Sequence, residues 1–127
     1  MILDFMIPLP PITKKNSQQI LINKKTGKPF IMPSKKYKEY ERAAMTYMPK
    51  TAKPIDYPVN IRAYFFMPTK RKCDLTNLLE ALDDIMVRAG VIADDHYGIV
   101  AGHDGSRVFT GTRGEPRTFV VIEEIDL

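Results

Sequence analysis

KRKCDLTNLLEALDDIMVRAGVIADDHYGIV, residues 70–100, decides how this chain is to be read. Leu75, Leu78, Leu79, Leu82, Ile85 or Met86, and Ala89 recur at helical spacing, so a helix is expected over about residues 75–89, with Gly90 as its stop. At about 3.6 residues per turn, Thr76, Glu80 and Asp84 form one row on that helix. Asn77 and Arg88 lie beside the row and Asp74 stands at the entrance. One reading is a solvated polar face, with Asp74 as cap, Asp84 paired to Arg88, Glu80 in water and Asp83 at the surface. The other is one arm of a site for a hard cation.

Asp94 and Asp95 follow a short apolar run, Val91–Ala93, where a strand end or tight turn would hold them. They read either as a turn or as the second arm of that site. Magnesium takes oxygen ligands, keeps several waters and needs few carboxylates. Lys70, Arg71 and Lys72 precede Asp74, and cations beside a carboxylate cluster suit a phosphodiester substrate. Further on, AGHDGSRV brings His103, Asp104 and Arg107 after Asp95. It reads first as a turn, and otherwise as a fourth carboxylate, Asp104, with a phosphate contact, Arg107.

Outward from this stretch, Ile2–Ile7 suits a short strand ended by PLPP. Gln18–Ile22 and Pro29–Met32 suit two strands around a KKTGK turn. Ser34 is a plausible N-cap for a helix over 35–48, with Tyr37, Tyr40, Ala44 and Tyr47 or Met48 on its buried side. PVNIRAYFFMP alternates, with Val59, Ile61, Ala63 and Phe65 on one face. YGIVAGHD is a strand candidate, GSRVFTGTRGEP a strand tail and turn, and RTFVVIEEI a final strand expected to be buried on both faces. The order β-ββ-α-β-α-β-β predicts an α+β (mixed α/β) fold, a mixed sheet packed against two main helices.

At 127 residues the chain is the size of one domain, 1–127, and can bury a core without disulfides or a structural metal. One cysteine, Cys73, leaves no intrachain disulfide, and with two histidines a zinc site is not expected. The net charge of +4 favours an anionic partner without demanding one. No run is long enough to cross a membrane, and the start MILDFMIPLPPI lacks the basic leading region of a signal peptide. A cytoplasmic protein with no membrane partner is the expectation.

Residues 70–100 resemble the RusA family of Holliday-junction resolvases. The family pattern is a basic run, Asp-x-Asp-Asn-Leu, a lysine four residues after the second Asp, a further Asp, a Gly-hydrophobic step, and Asp-Asp before a strand. Asp74, Asn77, Leu78, Asp84, Gly90, Asp94 and Asp95 match it in order and spacing. IPLPPITKKN is also similar to the family's opening. The resemblance implies catalytic roles for Asp74 and Asp95, a magnesium cofactor (with manganese as a substitute), branched DNA as partner, an intertwined homodimer, and a bacterial or phage and prophage origin. Two positions depart from the pattern: Thr76 stands at the second aspartate and Glu80 at the lysine. Glu80 lies one turn beyond Thr76 on the same face, and helical side chains lean back toward the N-terminus. Glu80 is therefore expected to replace the missing ligand, giving Asp74, Glu80 and Asp95 as the main set, with Asp94 and Asp104 as further ligands. Lys72, with Lys70 and Arg71 beside it, is the nearest stand-in for the lysine.

The expected reaction is magnesium-dependent hydrolysis of a DNA phosphodiester without a covalent enzyme intermediate. Salt-sensitive backbone contacts are expected from Lys70, Arg71, Lys72, Arg107, Lys14 and Lys15, and from among Lys24, Lys25, Lys28, Lys35, Lys36 and Lys38. Cutting two strands of a nearly symmetric junction calls for two sites, hence a twofold dimer. Apolar residues of 59–66 or the tyrosines of the first helix are candidates for its interface. Two other readings stay open: a branched-DNA-binding relative that lost the chemistry at Thr76 and Glu80, and a non-DNA interaction protein.

Overall fold

The computed structural model describes residues 1–14, 18–111 and 114–125. Its central element is β7, Arg117–Glu124, paired antiparallel with β1, Leu3–Ile7, on one side and with β4, Val59–Phe66, on the other. Two short strands, β5 (Val100–Gly102) and β6 (Arg107–Phe109), pair parallel with β4. A separate antiparallel hairpin joins β2, Gln18–Ile22, to β3, Pro29–Pro33. The helices are α1, Lys35–Met45, and α2, Leu75–Arg88. Two helices and a mixed sheet make this an α+β fold, as the element order predicts.

Register explains the core. Ile122 stands opposite both Leu3 and Ile61, Val120 opposite Phe5 and Ala63, and Thr118 opposite Ile7 and Phe65. Side chains alternate across a strand, so all of these share one face. That face packs with Tyr37, Tyr40 and Ala44 of α1 and Leu78, Leu79, Leu82, Ile85 and Met86 of α2 in one cluster. Tyr37 and Tyr40 are thus core residues, and of the pair at the helix end Met48 is buried while Tyr47 is exposed. The last strand meets the expectation in part: on its outer side Val121 is buried, while Arg117, Phe119 and Glu123 are half-buried.

The helix ends follow local chemistry. Ser34 Oγ accepts from the Tyr37 N–H at 3.1 Å. α1 stops at Met45, short of the expected residue 48. Pro49 disfavours helix at Met48, and the chain tightens so that Tyr47 and Met48 donate to Ala44 and Met45. At the end of α2, Gly90 has φ +78, Val91 donates to the Met86 carbonyl and Gly90 to that of Val87. This paired closure needs a left-handed residue after the cap, which glycine supplies without strain. It sends Val91 and Ile92 into the core, where Ile92 bridges Ile55, and turns Asp94 and Asp95 outward.

The expected strand over 97–104 is only β5, three residues long. The His96 carbonyl accepts from both Ile99 and Val100, and the His96 ring Nδ1 accepts from the Gly98 N–H, so 96–99 is a turn. Among the described residues no helix is long and apolar enough to cross a membrane.

Candidate active site

The polar face of α2 and the turn after it meet at Lys14. The segment before β2 delivers this lysine: Pro11 and Thr13 are buried, and Lys14 follows immediately. Its ammonium lies 3.1 Å from Asp84 Oδ2 and 6.0 Å over the Tyr37 ring. The pairing of Asp84 with Arg88 therefore does not form. Arg88 reaches instead to Glu41 on α1, at 3.2 Å, which leaves Asp84 to Lys14.

An open cavity of about 280 Å³ is lined by Lys14, Asp84, Val87, Arg88, Asp94 and Asp95. Its acids feel one another. Desolvation, a hydrogen bond with Asp94 and the charges of Asp84 and Asp94 raise the Asp95 carboxyl above the usual range. The Asp95 backbone N–H donates to Asp94 Oδ1 at 2.7 Å, which fixes the Asp94 carboxylate against the backbone of Asp95. A tighter cleft beside it holds Lys14, Asn77, Glu80, Ala81 and Asp84. Asn77 donates to Asp74 Oδ2 at 3.3 Å, so Asp74 adjoins the same side of the helix. Asp74 occupies the N-cap position, but its side chain makes no capping bond and is exposed. Thus Asp74, Glu80, Asp84, Asp94 and Asp95 line one polar flank, with Lys14 and Asp84 joining its two hollows.

Other expected residues lie apart from that cavity. Asp104 sits in the β5–β6 turn, its backbone N–H donating to Asn60 Oδ1 and its carbonyl accepting from Asn60 Nδ2. Asn60 also donates to Glu123, which accepts from Arg62. Arg107 is exposed on β6, opposite Tyr64. Lys70, Arg71 and Lys72 are exposed on the loop into α2. Arg71 shares a hollow with Pro11, Thr13 and Lys36, and the Lys70 side chain lies against Gly111, where an added Cβ would sit 2.8 Å from its Cε. Lys15 lies outside the described residues.

Sequence reasoning placed Asp83 at the surface, and the structure corrects this. Asp83 is only 5% exposed on the inward side of α2, and His103 Nε2 lies 2.8 Å from its Oδ2. Reasoning also gave Asp84 no place in the ligand set and left Lys14 among generic DNA contacts. The signal for Asp84 was its place in the Thr76–Glu80–Asp84 row. Nothing in the local pattern reports on Lys14, which is 70 residues away from its partner.

Among the described residues no three of His, Cys, Asp and Glu are grouped so that together they could hold a metal ion. The donors here are carboxylate oxygens that open on solvent and repel one another. That chemistry fits a hard cation, which binds through one or two carboxylates and keeps its waters.

The family model described as Endodeoxyribonuclease RusA matches residues 8–123. The chain is also 31% identical over 106 residues to the Crossover junction endodeoxyribonuclease RusA of Aquifex aeolicus (strain VF5), covering 82% of this chain and 79% of that protein. The match runs from the proline-rich segment before Lys14 to the end of β7 and includes every carboxylate described above, so the chain belongs to the RusA family of endodeoxyribonucleases and is a nuclease.

Proposed function

We propose that this protein is a magnesium-dependent, structure-selective endodeoxyribonuclease that resolves four-way junctions by paired symmetric nicks, in DNA recombination and repair. The observation that carries the reading is the shared cavity of Asp84, Asp94 and Asp95 next to the Glu80 cleft, in a chain of the RusA family. One or two of Asp95, Asp94 and Asp84 would hold the ion beside its retained waters, with Asp74 and Glu80 completing the flank toward the substrate. A bound divalent ion supplies charge stabilisation at the scissile phosphate and acidifies a water. The side chains orient that phosphate and keep the hollow polar, and Lys70, Arg71, Lys72 and Arg107 add backbone contacts. Residues 1–127 act as one domain. A homodimer supplies the second site that a symmetric junction demands. The protein works in the cytoplasm of a bacterium, encoded there or by a prophage.

The test is a nicking assay on a four-way junction with magnesium or manganese, comparing wild type with Asp74→Asn and Glu80→Gln. Symmetric nicks lost in Asp74→Asn are expected. A wild type that binds junctions but never nicks them points instead to a branched-DNA-binding protein, the reading that Thr76 and Glu80 favour. No preference for branched over linear DNA points to a different partner altogether.

A further inference from the structure

We propose that Lys14 is the resident counter-ion of the carboxylate cavity: its ammonium competes with a divalent cation for Asp84 and, once released, carries positive charge to the scissile phosphate. The inference rests on the nuclease reading above and adds to it a residue, with a stated role, that is distant in sequence from every acid it serves.

Both ends of Lys14 are held. Thr13, next to it, is 4% exposed and Pro11 is buried, so the backbone is tied to the core one residue away. The ammonium is fixed by Asp84 at 3.1 Å and lies 6.0 Å from the Tyr37 ring centre. Lys14 lines both the Asn77–Glu80–Asp84 cleft and the Asp84–Asp94–Asp95 cavity. Arg88 also borders that cavity, but its guanidinium is engaged by Glu41. Acids that repel one another in one hollow need a neutralising charge, and a lysine supplies it as a compact point charge on a flexible stem. Such a head group can pass from a carboxylate to a phosphate without moving the backbone.

In the reaction, the water oxygen bonds to phosphorus as the bond from phosphorus to the leaving sugar oxygen breaks. The proton given up by the water ends on that oxygen. Lys14 takes no part in that proton transfer and acts on the charge that develops on the phosphate.

The experiment compares wild type, Lys14→Gln and Lys14→Arg. In the absence of DNA, calorimetric titration should show Mn²⁺ bound several-fold more tightly by Lys14→Gln than by wild type. With a four-way junction and magnesium, Lys14→Gln should cleave about tenfold more slowly while junction affinity changes by no more than roughly twofold. Lys14→Arg should keep most of the rate. Thermal melts establish that each variant is folded. Unchanged or weaker Mn²⁺ binding by Lys14→Gln overturns the proposal, as does a Lys14→Arg variant no faster than Lys14→Gln. Should wild type fail to cut any junction, the nuclease reading falls, and the Mn²⁺ titration still decides whether Lys14 is the counter-ion.

Discussion

His103 Nε2 lies 2.8 Å from Asp83 Oδ2, and this pair ties the turn between β5 and β6 to the inward side of α2. Among the described residues Asp83 Oδ1 has no hydrogen-bond partner, and burial, partly countered by His103, raises the carboxyl above its usual range. Asp83→Ala should cost about 1–3 kcal/mol by leaving the imidazole without its acceptor. Denaturant unfolding measures it. The pH dependence has a definite sign. A carboxyl with a raised pKa in the fold binds its proton more tightly there than in the unfolded chain. Its contribution to stability is therefore present at low pH and is lost as pH rises through the ordinary carboxylate range, levelling off once Asp83 is ionised in the fold. Wild type should lose stability relative to Asp83→Asn over that window. Parallel stability–pH curves for the two proteins would refute the assignment.

The buried pair also shows where sequence patterns stop. The apolar stripe of α2 and the alternation of β4 were legible, because local periodicity reports which face is covered. Ser34 and Gly90 were legible as helix signals for the same local reason. Asp83 was not, because its neighbours in sequence are another acid and a helix face. Only His103, twenty residues on, explains how a carboxylate tolerates that burial. The early end of α1 and the turn at His96 likewise depend on backbone bonds that composition does not announce. In the site, the carboxylates were legible as types at a spacing, but Lys14 was not legible as their partner.

Asp95 gives a second pH prediction. Its carboxyl is raised by desolvation, by Asp94 and by the charge of Asp84, so it loses its proton at a higher pH than an ordinary aspartate. Divalent ions need the deprotonated ligand. Mn²⁺ affinity should therefore weaken, as pH falls, earlier than an unperturbed aspartate would dictate. Asp84→Asn removes one of the charges that raise Asp95. Its acid limb should move to lower pH even though its maximum affinity is reduced. A titration series across pH reads both effects, and an acid limb unmoved by Asp84→Asn would exclude the coupling.

Position separates the acids in a way that cleavage assays can read. Asp74 and Asp95 border the polar flank of α2, whereas the backbone of Asp104 is bonded in both directions by Asn60. Asp74→Asn and Asp95→Asn should each reduce junction nicking by about a hundredfold or more. Asp104→Asn should leave it within roughly twofold, since the Asn60 bonds use only its backbone. A large loss in Asp104→Asn, with the fold intact by circular dichroism, would bring this residue into the ligand set after all.

The last prediction concerns assembly. In the β2–β3 hairpin, residues 20–30 are all exposed, with Ile20 at 73% and Ile22 at 68%. A two-stranded hairpin is marginal by itself in water, and exposed isoleucines and Phe30 give it apolar surface that none of the described residues covers. A second copy is the partner that a symmetric junction calls for. Ile20→Glu/Ile22→Glu places charge where a partner's surface should lie and touches no core residue. Stability of the monomer should change by less than about 0.5 kcal/mol, while sedimentation shifts from dimer to monomer. Because one chain then presents one site, paired nicking should decay into single nicks with the first cut still made. A double variant that sediments as a dimer and still makes paired nicks would rule out the hairpin as the contact.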